Sequence, residues 1–262
     1  MIALACIYSI SIILIRRFHT INNVFTVNLC FAAICCGIYW LLNLTLSVVN
    51  PQLYTNVTAC RIIGYLEIMC TLQVPLALIE VSCYRLCCIV YHTKAFFRRK
   101  QWIITCVLSQ WTFGILISLL RPISVGSLCQ DPAWMNICVF TITVITPSVT
   151  CLVMNLIIFN HVRSSTNRIE PSIALTKHTL HHHITRRDLR LLQHMIIMFC
   201  IFLVGWAPTY LYSFFATTNT NPAIFKIFML GAELSITVDI INLFSYNHEL
   251  RQYLKTKFLR RY

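Results

Sequence analysis

The chain has 262 residues, 58% of them hydrophobic and only 11% charged, with a mean hydropathy of +0.72 and a formal net charge of +13. Soluble domains carry about 25% charged residues, so this balance excludes an ordinary water-soluble globule. The positive excess calls for no nucleic acid, because it collects on one rim of a membrane bundle, where it faces anionic lipid headgroups.

A helix needs about 20 apolar residues to cross a bilayer. Runs of that kind occupy 1–15, 22–47, 57–91, 101–121, 138–162, 188–215 and 222–246. They are continuous, whereas the strands of a membrane barrel alternate polar and apolar over about 10 residues. The expected fold is therefore an all-α membrane protein. It has a seven-helix transmembrane domain over 1–246, followed at 247–262 by a short cytoplasmic amphipathic helix eight and a basic tail. The first run offers 15 apolar residues before Arg16, short of a full crossing, which predicts a truncated or misannotated first helix. A signal peptide is the competing reading, but no basic region precedes the apolar run.

Short cytoplasmic loops retain Lys and Arg, so the basic residues give orientation. With Arg85 set aside, seventeen of the remaining twenty share one side: Arg16 and Arg17, four from Lys94 to Lys100, six from Arg163 to Arg190, and five from Arg251 to Arg261. Arg61, Arg121 and Lys226 fall on the other. The amino end is expected outside and the carboxyl end in the cytoplasm. Arg85 itself stands in "IEVSCYRLCCIVYH", an apolar stretch. A charge deep in a membrane helix costs roughly 2.5 kcal/mol or more, so it marks a functional position or a partner.

Further fragments follow in chain order. "NLCFAAI" lies in span two, Cys60 starts span three, and Tyr84-Arg85-Leu86 closes it. Trp111 and Pro122 lie in and after span four, and Pro147 in span five. "FCIFLVGWAPTY" in span six carries Phe202, Trp206 and Pro208, and "DIINLFSYNHELR" ends span seven. In order and spacing the chain resembles the rhodopsin-like (class A) G-protein-coupled receptors, over nearly its whole length. Tyr84-Arg85-Leu86 is similar to the family's Asp-Arg-Tyr, and the span-six fragment to its Phe-x-x-Cys-Trp-x-Pro, with Gly205 in place of the cysteine. The span-seven fragment is similar to Asn-Pro-x-x-Tyr, with Asp239, Ile240 and Leu243 replacing asparagine, proline and tyrosine. Ala33 stands where the family has its sodium-binding aspartate, so a buried sodium is not expected.

The resemblance implies a site for each charge left in the membrane. Four acidic residues lie in the spans: Glu67, Glu80, Glu233 and Asp239. Glu67 falls two helical turns inside Cys60, where the family's pocket lies and its amine receptors carry a binding aspartate. Glu233 falls where a residue faces that position, so the two carboxylates are expected to share one cavity with Trp206, around a cationic ligand or a shared proton; both being hydrogen-bonded and neutral is the alternative. Arg85 is expected to be held in the resting state by Asp188, at the position of the family's span-six acid, because Tyr84 replaces the neighbouring one. Phe202, Pro208 and Asp239 complete the expected switch.

Fourteen cysteines also invite disulfide or metal readings, but ten lie inside spans, where they act as small apolar side chains. Cys60 and Cys129 stand at the outer face and are expected to form the family's loop disulfide, with Cys138 as the rival to Cys129. "HTLHHH", from His178 to His183, reads as a solvated basic loop and not as a zinc site, lacking a cysteine or acid nearby. Asn43 and Asn56 begin glycosylation sequons, of which Asn56 lies in an extracellular loop. No metal or cofactor is expected, and no nucleophile with a base marks an enzyme. The expected function is a plasma-membrane receptor that passes binding of an extracellular small molecule or peptide to a heterotrimeric G protein. The alternatives are a seven-helix binding protein without coupling and a transporter; a transporter would show interrupted helices in repeated halves.

Overall fold

The computed structural model describes residues 1–15, 21–91, 95–124, 132–167, 178–215, 222–247, 250–253 and 256. No strand occurs among them. In chain order the helices are α1 (Ile2–Leu14), α2 (Ile21–Val49), α3 (Val57–Val90), α4 (Lys100–Ser118), α5 (Leu120–Ser124), α6 (Ala133–Phe140), α7 (Thr146–Asn167), α8 (His178–Phe215) and α9 (Pro222–Tyr246). A π-turn, Thr141–Ile145, joins α6 to α7.

Five stretches are long and apolar enough to cross a membrane: Asn23–Val49, Val57–Val90, Lys100–Ser124, Trp134–His161 and Ile196–Ser213. Of the seven expected crossings, two fall outside that set. The first, α1, has 13 residues, a rise of about 20 Å against a hydrocarbon thickness of about 30 Å. The second, α9, has 25 residues but carries Lys226, Glu233 and Asp239. The fold is an all-α membrane protein.

Local chemistry sets the helix ends and irregularities. Asn56 caps α3, its side-chain oxygen accepting from the backbone N–H groups of Thr58 at 3.0 Å and Ala59 at 3.3 Å. Pro147 has no N–H to offer the preceding turn, and the π-turn just before it shifts the hydrogen-bond ladder there. The hydroxyls of Thr143 and Ser148 donate to the carbonyls of Val139 and Val144 in the same region. After α9, Asn247 accepts from Leu250 N–H at 3.2 Å and donates to the Tyr8 hydroxyl at 3.2 Å, starting a helical turn over 250–253. The rest of the expected helix eight lies outside the described residues.

One apolar core joins α1, α2, α3, α8 and α9 and includes Tyr8, Leu29, Leu78, Met198, Phe202, Trp206, Ile236 and Ile240. Ala33 belongs to it, as does Leu243, so the positions where the family keeps an acid and a tyrosine are packed with apolar side chains. A second cluster joins Phe25, Val81, Tyr84 and Ile103. Bilayer-facing surfaces keep exposed apolar residues, among them Ile104, Leu108 and Leu116 of α4 and Val149, Leu152 and Leu156 of α7.

Helices that pack in lipid approach closely where one carries a small residue. A Cβ on Gly205 of α8 would stand 2.2 Å from Ser235 Oγ of α9, and one on Gly114 of α4 would stand 2.0 Å from the Gln73 amide of α3. Polar groups then tie the neighbours together. Asn28 Nδ2 of α2 donates to Glu80 Oε2 at 2.9 Å and to Gln110 Oε1 at 2.6 Å. Trp111 Nε1 donates to Asn28 Oδ1 at 3.0 Å, and Gln110 Nε2 to Gln73 Oε1 at 3.1 Å.

Candidate functional site

A cavity of about 590 Å³ opens at the Cys60 end of the bundle. Glu67 and Thr71 of α3 form one wall, Tyr39, Trp40 and Asn43 of α2 another, and Arg121 of α5 closes over them. Trp206, Thr209 and Tyr210 of α8 form the floor. The floor is built on Phe202, Trp206 and Tyr210, which recur every four residues on one helix face and stack, with centroids 6.2 and 6.0 Å apart. Tyr210 also lies near Thr71 of α3 and Thr143 of the π-turn, so the bulge, α3 and α8 approach one another at one side chain.

The charges in this cavity are balanced. Arg121 Nη1 lies 2.5 Å from Glu67 Oε2 and donates to Gly64 O at 3.2 Å. Among the lining residues Glu67 and Arg121 are the charged pair, so the wall is formally neutral. Gly64 makes the pairing possible: a Cβ there would lie 2.6 Å from Arg121 Nε. At the rim, the Tyr54 hydroxyl donates to Asn43 Oδ1 at 2.5 Å. Burial and the nearby Glu67 carboxylate raise the Tyr54 phenol above its ordinary pKa, which keeps it a donor. The indole N–H of Trp206 and the hydroxyl of Thr209 line the cavity, are buried, and have no hydrogen-bond partner among the described residues. Unsatisfied buried donors favour a ligand that brings acceptors.

The expected site residues separate into three groups. Glu67 and Trp206 line the cavity. Glu233 is not among its lining residues; its Oε1 accepts from the Cys36 thiol at 3.8 Å on the α2 side of α9. The two carboxylates meet different partners, Arg121 for Glu67 and the Cys36 thiol for Glu233. Asn43, the deeper sequon, accepts from Tyr54 and lines the same cavity.

At the other end of α3, Tyr84 packs its ring 4.8 Å from that of Phe25 in the second core cluster. Arg85 is half-buried nearby, and His194 of α8 lies within its electrostatic reach. His194 is buried, its ring tilted against that of Tyr246 of α9 with centroids 3.8 Å apart. Asp188 is on α8, but its side chain falls outside the described residues. Pro208 lies inside α8, and Asp239 is buried on α9 with Oδ1 unpartnered among the described residues. Cys60 is disulfide-bonded, and Cys138, the rival to Cys129, is free. Cys129 lies outside the described residues, as do the side chains of His178 to His183. Among the described residues no three His, Cys, Asp or Glu side chains are grouped to hold a metal.

The bundle thus holds a cavity over an aromatic ladder, a basic residue at the far end of α3 and an irregular turn before Pro147. The sequence matches the 7 transmembrane receptor (rhodopsin family) over residues 6–242. The chain belongs to the rhodopsin family of seven-transmembrane receptors. No curated protein matches the sequence. As a family member it is a multi-pass membrane protein and a receptor, and the family is generally non-enzymatic. Arg121, Gly64 and His194 are site residues that the sequence reading did not assign. Arg121 carried a signal, being one of three basic residues on the side opposite the basic rim.

Proposed function

We propose that this receptor binds a ligand in the Glu67 cavity and transmits binding to a heterotrimeric G protein at the Arg85 end, from the plasma membrane with its amino end outside. The observation that carries this reading is the position of Trp206. It is the cavity floor and also a core residue of α8, the helix whose other end approaches α3 beside Arg85. A ligand that moves Trp206 acts on a helix that carries Pro208 in its interior, and a two-state helix is what a receptor needs to bias. The ligand engages the Arg121–Glu67 pair and Trp206; Glu233 belongs to a neighbouring contact that supports α9. The Cys60 partner is Cys129, and Asn56 is the glycosylated asparagine, its Nδ2 left available by a cap made through Oδ1.

The departure at α9 favours one competing reading. The helix runs through Ile240 without the family's proline, and Leu243 is buried in the core. A seven-helix binding protein without coupling is consistent with that. A cell assay of G-protein recruitment separates the two, run without ligand and across a ligand library, with Arg85 intact and with Arg85→Ala. Coupling that disappears in Arg85→Ala at wild-type surface expression supports the receptor that signals. A ligand that stabilises the purified protein in the absence of any recruitment supports the binding protein instead.

A further inference from the structure

A second cavity, of about 410 Å³, lies between α3 and α4 toward the Arg85 end. Leu76, Ile79 and Cys83 of α3 and Cys106 and Phe113 of α4 give it an apolar wall. Ser109 and Phe113, one turn apart on α4, both line the cavity and are both exposed, next to the exposed Leu116. The mouth therefore faces lipid and not water.

The polar end of this cavity is Glu80, which is 9% exposed. Its Oε2 accepts from Asn28 Nδ2 at 2.9 Å, while Oε1 is buried with no hydrogen-bond partner. Asn28 is held in turn by Gln110 and Trp111, so the network fixes the carboxylate in place with neutral groups only. No basic side chain among the described residues pairs with it. A buried carboxylate with one oxygen unsatisfied and no counter-charge is costly in a low-dielectric surround.

We propose that this cavity is a binding site, separate from the Glu67 cavity, for a membrane-dissolved amine that enters from the bilayer, its apolar body between α3 and α4 and its ammonium head on Glu80 Oε1. A hydroxyl head would supply the missing hydrogen bond but not the missing charge; an ammonium supplies both.

The test uses the full chain in lipid nanodiscs and two photoreactive probes of equal length, a diazirine-bearing decylamine and the matching decanol, with labelled peptides mapped by mass spectrometry. The amine is expected to label peptides from 76–84 and 102–113 and to be competed by plain decylamine. Glu80→Gln, which keeps the shape but not the charge, is expected to lower labelling about tenfold, a loss of about 1.4 kcal/mol, while Glu67→Gln leaves it unchanged. Ser109→Phe, which fills the mouth from an exposed position, is expected to lower it as well. Labelling at the wild-type level in a folded Glu80→Gln protein overturns the proposal. Should Glu80→Gln fail to fold, undiminished labelling in Ser109→Phe overturns it. Equal, Glu80-dependent labelling by the decanol overturns the amine in favour of a hydroxyl head, and labelling that plain decylamine does not compete overturns the site.

Discussion

Arg121 reaches from α5 across the end of α3 and joins Glu67 at 2.5 Å over the backbone of Gly64. The pair neutralises the cavity that each residue would otherwise charge. Arg121→Gln is therefore expected to expose Glu67 and raise the potency of cationic agonists about tenfold, while Glu67→Gln weakens them by about 2 kcal/mol. Gly64→Ala should act in the same direction as Arg121→Gln, because its Cβ displaces the end of a flexible side chain and not a packed backbone. Dose–response curves for cationic and anionic agonists in the three variants read this directly. Unchanged charge preference in both Arg121→Gln and Gly64→Ala removes the pair from ligand recognition.

Cys60 is disulfide-bonded at the mouth of this cavity. Replacing Cys60 or Cys129 is expected to lower surface expression, since closing a loop of this kind stabilises by up to about 4 kcal/mol. Peptide mapping without reduction checks the pairing. Recovery of Cys129 as a free thiol from folded receptor rules it out.

The close approach of α8 to α9 gives a third expectation. Gly205→Cys, which restores the family's residue, places a Cβ 2.2 Å from Ser235 Oγ and 2.4 Å from Ser235 Cβ. Overpacking of this kind costs about 1–3 kcal/mol. Thermal unfolding of the purified protein should show that loss, and Ser235→Gly in the same chain should recover most of it. A Gly205→Cys protein as stable as wild type would mean that the helices separate without penalty there.

Much of this architecture is legible in the sequence because it rests on patterns along one chain. Apolar length places the helices, and Trp206, Phe202 and Tyr210 share a face because they are four residues apart. Pairings between helices are another matter. Nothing local says that Arg121 will choose Glu67, since that contact depends on Gly64 leaving room on a different helix. The partner of Glu233 is hidden from the sequence for a related reason: it is the Cys36 thiol, on a different helix. Glu80 was visible as an intramembrane acid, but its network with Asn28 and Gln110 requires three helices to be packed before it exists.

The last expectation concerns the resting state. Tyr84, in the place of the family's acid, is packed against Phe25, so its ring is committed to the α2–α4 side of α3. The proposed lock on Arg85 is then Asp188, with no carboxylate at position 84 to reinforce it. A lock with one acid is more easily broken than one with two. Asp188→Ala is therefore expected to raise basal signalling more than the same change does in relatives that keep the adjacent acid. A shift of about 1.4 kcal/mol would enlarge a sparse active population roughly tenfold. Arg85→Ala should instead abolish coupling. Basal and agonist-stimulated recruitment at matched surface expression distinguishes these outcomes. An Asp188→Ala receptor with wild-type basal activity and an intact agonist response would assign the restraint elsewhere, with the buried His194 beside Arg85 as the next side chain to replace.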